Sequence, residues 1–104
     1  MKEFLTLPES ELGICVVTPA ANSALALRNV KPSTLFDAHR SSIPFENMAD
    51  WEKLKRFSQI RGDQPLTSNF RVHASLFDRY PEVMRVETWL SRNTTILKLK
   101  SETI

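Results

Sequence analysis

Only two glycines, Gly13 and Gly62, occur in this chain of 104 residues, and they lie far apart. A loop that cradles phosphate needs clustered glycines, because backbone N–H groups must reach the anion without side-chain obstruction. Neither a P-loop nor a dinucleotide-binding turn can be written here, so an autonomous nucleotide-binding enzyme is not expected. The single cysteine, Cys15, has no internal disulfide partner and suits a reducing compartment. His39 and His73 stand 34 positions apart, with no zinc-type Cys or His pairing beside either. No metal and no cofactor are expected.

The length fits a single domain over residues 1–104, since domains commonly run to roughly 100–150 residues. An apolar share of 41% and a charged share of 25% lie near globular averages, which argues against wholesale disorder. The start Met1-Lys2-Glu3-Phe4 does not build a secretory leader. The longest apolar run, Ile14 to Val17, is far short of the ~20 residues that span a bilayer. A cytoplasmic chain with no membrane partner is the expectation.

Apolar and β-branched residues over 12–18 predict a buried strand, with Cys15 as a structural cysteine inside it. Thr18 can cap a helix that opens on Pro19 and runs through Ala20 to Arg28, with Ala24, Leu25 and Leu27 as core contacts. Pro32 breaks the chain again, and Ser33 can cap a short helix through about Arg40, which places Leu35, Phe36 and His39 on or near one side. A longer helix is predicted from about Asn47 to Ile60, where Met48, Trp51, Leu54 and Phe57 form a stripe at spacing three. Gly62 is the expected cap at its end.

Residues 69–80 satisfy both periods. Phe70, Val72, Ala74 and Leu76 alternate as in a strand, whereas Phe70, His73/Ala74 and Phe77 fit helical spacing. The helical reading is preferred because no turn residues bound the alternation. Beyond Pro81, residues 82–92 are expected to be helical, with Val83, Val86 and Leu90 inward, and residues 94–100 to form a C-terminal strand. The fold class expected is therefore α+β: a small, mainly helical domain of three to five helices, with an N-proximal strand and a C-terminal strand that pair.

Residues 38–47, Ala-His-Arg-Ser-Ser-Ile-Pro-Phe-Glu-Asn, resemble the "AH…IPFEN" stretch near the N-terminus of arylamine N-acetyltransferases. The resemblance covers about ten residues of 104. Members of that family continue to an Arg-Gly-Gly-Tyr-Cys type motif, whose cysteine is acetylated with help from a His and an Asp. Here Arg61-Gly62-Asp63 follows, and no cysteine occurs after Cys15. The resemblance thus implies at most a relative without the nucleophile. The residues themselves read as an inter-helix loop, with Phe45 in the core and Asn47 capping the next helix.

Charge is unevenly distributed. Residues 1–52 carry four basic and seven acidic groups, a net of −3, while residues 53–104 carry ten and five, a net of +5. Arg71, Arg79, Arg85, Arg92, Lys98 and Lys100 are the candidate binding residues, with Phe70, Phe77, Tyr80 and Trp89 interleaved among them. Glu82 can pair with Arg85, and Asp78 and Glu87 dilute the field. Acid/base pairs such as Asp37 with His39, or Glu46 with Asp50, bring no nucleophile or oxyanion site. The function expected is a small non-catalytic interaction protein, an adaptor, inhibitor or regulator acting on a macromolecular partner. The alternative is a nucleic-acid-binding regulator that uses the basic C-terminal half. Head-to-tail self-association is a further way for such polarity to act.

Overall fold

The computed structural model describes residues 7–42, 48–61, 65–73 and 82–102. In its first half the chain follows its local signals closely. A 3-10 turn, Glu9–Leu12, leads through Gly13 into strand β1 (Ile14–Val17), and helix α1 (Pro19–Leu27) follows at once. Thr18 has extended backbone and its hydroxyl accepts the Ala21 N–H at 3.2 Å. Proline next to it loses nothing, because the first helical N–H has no partner inside the helix. Helices α2 (Pro32–Ser42) and α3 (Met48–Arg61) occupy the next two stretches expected to be helical. Helix α2 extends through Ser42, where a loop was expected from Ser41; the rest of that loop, residues 43–47, and the cap at Gly62 fall outside the described residues.

The second half departs from expectation. Strand β2 (Leu66–Val72) covers the start of the stretch where helix was preferred, while residues 74–81 lie outside the described residues. Strand β3 (Glu82–Trp89) and a 3-10 turn (Leu90–Arg92) replace the helix expected over 82–92, and strand β4 (Thr94–Leu99) follows. The fold is thus not mainly helical. Three α-helices accompany a four-stranded mixed sheet of order β1-β4-β3-β2. The N-proximal and C-terminal strands do pair, as parallel neighbours β1 and β4, while β3 runs antiparallel to both β2 and β4.

The reason lies in side-chain type and pleat. Val83, Val86, Thr88 and Trp89 are β-branched or aromatic and suit a pleated surface better than a helix. In a strand, Met84, Val86 and Thr88 share one face, and all three are buried. The helical reading had placed Val83 inward and left Met84 out. Asn93 then reverses the chain in left-handed conformation, φ 50° and ψ 45°, which asparagine tolerates better than most residues.

Helices α1 and α2 pack on one face of the sheet, and α3 packs on the turn that follows β3. Ala21 and Leu25 of α1 and Leu35 of α2 meet Val72, Met84, Val86 and Leu97 in the main core. Each of these Leu, Val and Met side chains contributes ~1.5–3 kcal/mol on full burial. A second cluster joins Trp51 of α3 to Leu7 and Leu90, with Met48 and Leu66 beside it. The stripe expected on α3 is only partly inward, since Leu54 is exposed. Cys15 also departs from expectation. It lies exposed on β1, which is an edge strand and pairs with β4 alone among the described strands. Ile14 and Val16 beside it are likewise exposed, at 66% and 43%.

Candidate functional site

The pleat divides the candidate residues between two faces. Met84, Val86, Thr88, Thr95 and Leu97 point to the helices, so residues of the opposite parity point away from them. That outer face has four ranks, set by the register. Arg71 lies opposite Val83, whose carbonyl accepts the Lys100 N–H at 2.9 Å. Asn69, Arg85 and Lys98 form the next rank, then Thr67, Glu87, Ile96 and Val16. Trp89, Thr94 and Ile14 form the last. Four of the six candidates, Arg71, Arg85, Lys98 and Lys100, therefore share this face.

Arg92 joins them from the turn after β3. Its guanidinium carbon stands 4.8 Å from the centroid of the Trp89 ring, a cation–π distance. Arg85 and Arg92, seven residues apart, would share one face of the helix expected over 82–92, but they lie on a strand and on the turn after it. Arg79 lies outside the described residues.

One acid sits among these bases. Glu87 is buried at 7% exposure, with Oε2 2.9 Å from Arg85 Nε and Oε1 3.6 Å from Lys98 Nζ. Arg85 pairs with Glu87, two positions along its own strand, and not with Glu82 as the helix would have allowed. Lys98 is itself only 9% exposed, so it serves as an internal counter-ion and is poorly placed to meet a ligand. Arg71, Lys100 and Arg92 are exposed and Arg85 is partly so. A recess of about 410 Å³ adjoins the basic end, lined among the described residues by Glu82, Val83, Lys100 and Ser101.

The inner face carries a different polar group. His39 of α2 is fully buried, with Nδ1 2.7 Å from Ser68 Oγ and Nε2 2.8 Å from Thr88 Oγ1. Thr88 Oγ1 is 2.9 Å from Thr95 Oγ1, and Thr95 donates to the Leu12 carbonyl at 2.7 Å. Proton counting gives this chain a direction. Thr95 spends its proton on Leu12, so Thr88 donates to Thr95 and must accept from His39 Nε2–H. Nδ1 then accepts from the Ser68 hydroxyl. A serine on a histidine nitrogen is the geometry of an activated hydroxyl. Here burial pushes the imidazole pKa down to about 4, which makes it a poor base near neutrality. The chain reads as a buried tie between α2, three strands and the N-terminal turn. Asp37, suggested as a partner for His39, is exposed and pairs with Arg40 at 2.6 Å.

Sequence reading found the basic residues and missed what separates them. The central role of Glu87 and the exposure of Ile14 and Val16 follow from register, which no local spacing shows. Period-two spacing of Met84, Val86 and Thr88 fits the strand itself, but a helical stripe through Val83, Val86 and Leu90 fits the same stretch equally well. Comparison of the chain with protein-family models, with curated proteins and with solved structures finds no match, so the arylamine N-acetyltransferase resemblance rests on residues 38–47 alone.

Proposed function

We propose that this chain is a small non-catalytic interaction protein, an adaptor, inhibitor or regulator, whose partner is a polyanionic macromolecule received on the outer face of the sheet. The observation that supports the reading is the shared placement of Arg71, Arg85 and Lys100 on the sheet face opposite the helices, with Arg92 at its end and Lys98 held beneath them by Glu87. Charges of one sign held by a rigid sheet attract an opposite field without reordering cost, and they steer encounter as well as affinity. Glu87 offsets one of the five positive charges, which leaves the face strongly basic.

The test is retention on immobilised heparin, used as a generic polyanion. The unmodified chain should elute well above the salt needed for a protein of net charge +2 without a clustered face. Arg71→Glu combined with Lys100→Glu should elute near the void while keeping its thermal unfolding within a few degrees, since both side chains are exposed. Equal elution of the two proteins would remove the outer face as the docking surface.

A further inference from the structure

We infer that the polyanion is single-stranded nucleic acid, with its phosphates on the Arg71–Arg85–Lys100 end of the sheet and a base stacked on the Arg92–Trp89 layer. The inference rests on the docking face proposed above and deepens it. Charge alone would accept an acidic protein segment or a sulfated sugar equally well. What distinguishes the face is its division into two unlike halves along the strands.

The first two ranks hold the cations, Arg71 and Lys100 in one and Arg85 and Lys98 in the other. The last two hold Ile96, Val16, Ile14 and Trp89, with Glu87 as their only acid. From Arg85 to Trp89 is four residues of β3, ~13 Å at the usual strand rise. A short length of extended strand covers that distance. Its backbone can lie on the cations while a base reaches the apolar end.

The Arg92 guanidinium over the Trp89 indole suits a base in particular. Both groups are planar, and bases unstacked from a single strand lie readily on aromatic rings or on guanidinium planes. A carboxylate peptide would gain the Arg92 charge but nothing from the plane beneath it. A duplex is disfavoured for a separate reason. Its bases are stacked inside and are read from the grooves by an inserted helix or ribbon, whereas the helices here lie on the opposite face of the sheet. Glu87 also has a place in this arrangement. It consumes Lys98 and part of Arg85, and so leaves Arg71, Lys100 and Arg92 as the exposed cations.

The test compares four fluorescent probes on the full chain at low salt: an oligothymidine of about a dozen nucleotides, the same length of abasic deoxyribose phosphate, polyglutamate, and a heparin fragment. Oligothymidine should bind about tenfold more tightly than the abasic strand. Its log affinity should fall with log salt at a slope of roughly −2 to −3, as expected for three or four phosphate contacts to a single strand. Arg92→Ala should abolish the preference for bases, with Trp89→Leu as a second variant reaching the same layer from the other side. Arg71→Ala should instead weaken both strands alike and lower the slope by about 0.7.

Equal binding of all four probes overturns the inference and leaves the polyanion reading in place. Tighter binding of polyglutamate does the same and makes the partner an acidic protein. If none of the four binds, the polyanion reading fails as well. If oligothymidine is preferred but Arg92→Ala and Trp89→Leu keep that preference, the stacking site is wrong.

Discussion

His39 is the residue on which the inner face turns, because one neutral imidazole satisfies hydroxyls from two strands at once. Its neutrality is also a liability. In the unfolded chain its pKa returns to the ordinary histidine value of 6.5, against about 4 in the fold. Below pH 6.5 the unfolded state therefore binds more protons, and stability falls as pH drops from about 6.5 to about 4, then levels. The full loss is up to ~3 kcal/mol. Urea unfolding across that range should show the slope, and His39→Gln, which can still donate and accept, should lack it. Two carboxylates act lower down. Hydrogen bonds from Lys55 and Trp51 hold the Glu11 carboxyl below its ordinary value, and those from Thr18 and the Leu99 N–H do so for Glu102. Their contribution is present above about pH 4.5 and is lost as pH falls through their lowered values. Sequence placed His39 near Leu35 and Phe36 on one side of α2, and Leu35 is buried as His39 is. Its hydroxyl partners, 29 and 49 residues away, belong to strands whose register only the fold sets.

At the level of elements, the junction of β1 with β4 is the tightest point. Gly13 has φ +69°, and a Cβ built there would stand 2.1 Å from the Asn93 carbonyl oxygen. That same carbonyl accepts the Ile14 N–H at 2.9 Å, the contact that leads into the parallel pairing. Gly13→Ala must therefore push the edge strand off its partner, at a cost of about 2–4 kcal/mol. Thermal unfolding should show a fall of about 10 °C or more, whereas Asn93→Gly, which suits left-handed backbone, should be mild. Elements with their own punctuation were legible beforehand. Thr18-Pro19 marks the start of α1, α2 opens on Pro32 just before the expected cap Ser33, and α3 opens on Met48, beside the expected start at about Asn47. Residues 82–92 were not legible, because Val83, Val86 and Leu90 fit a helical stripe as well as alternate residues fit a strand. Tertiary context broke the tie. With β2 and β4 bonded on its two sides, β3 has its backbone groups paired and Met84, Val86 and Thr88 covered by helices.

Over the whole molecule, the basic half of the sequence becomes one side of the sheet, with Glu87 buried among its cations. Glu87→Gln should separate two properties that are linked in the native chain. It strands Lys98 without its counter-ion, costing about 3–4 kcal/mol of folding stability as for other broken buried pairs, and it raises the positive potential of the face. Denaturant unfolding should shift down while heparin elution shifts to higher salt; a variant that elutes earlier would mean that Glu87 does not moderate the face. Composition by itself determined that the chain lacks a glycine-built phosphate loop and an internal disulfide, and that its charge is polarised along its length. Those are counts, and folding cannot alter them. Local chemistry likewise determined where α1 and α2 begin, because caps and prolines act within a few residues. Tertiary structure decided that 82–89 is a strand, that Cys15 is exposed on an edge, that Lys98 serves Glu87, and that Arg71 and Lys100 share one face. Each of these depends on which strands lie side by side and in which register, and a one-residue slip would send every one of those side chains to the other face.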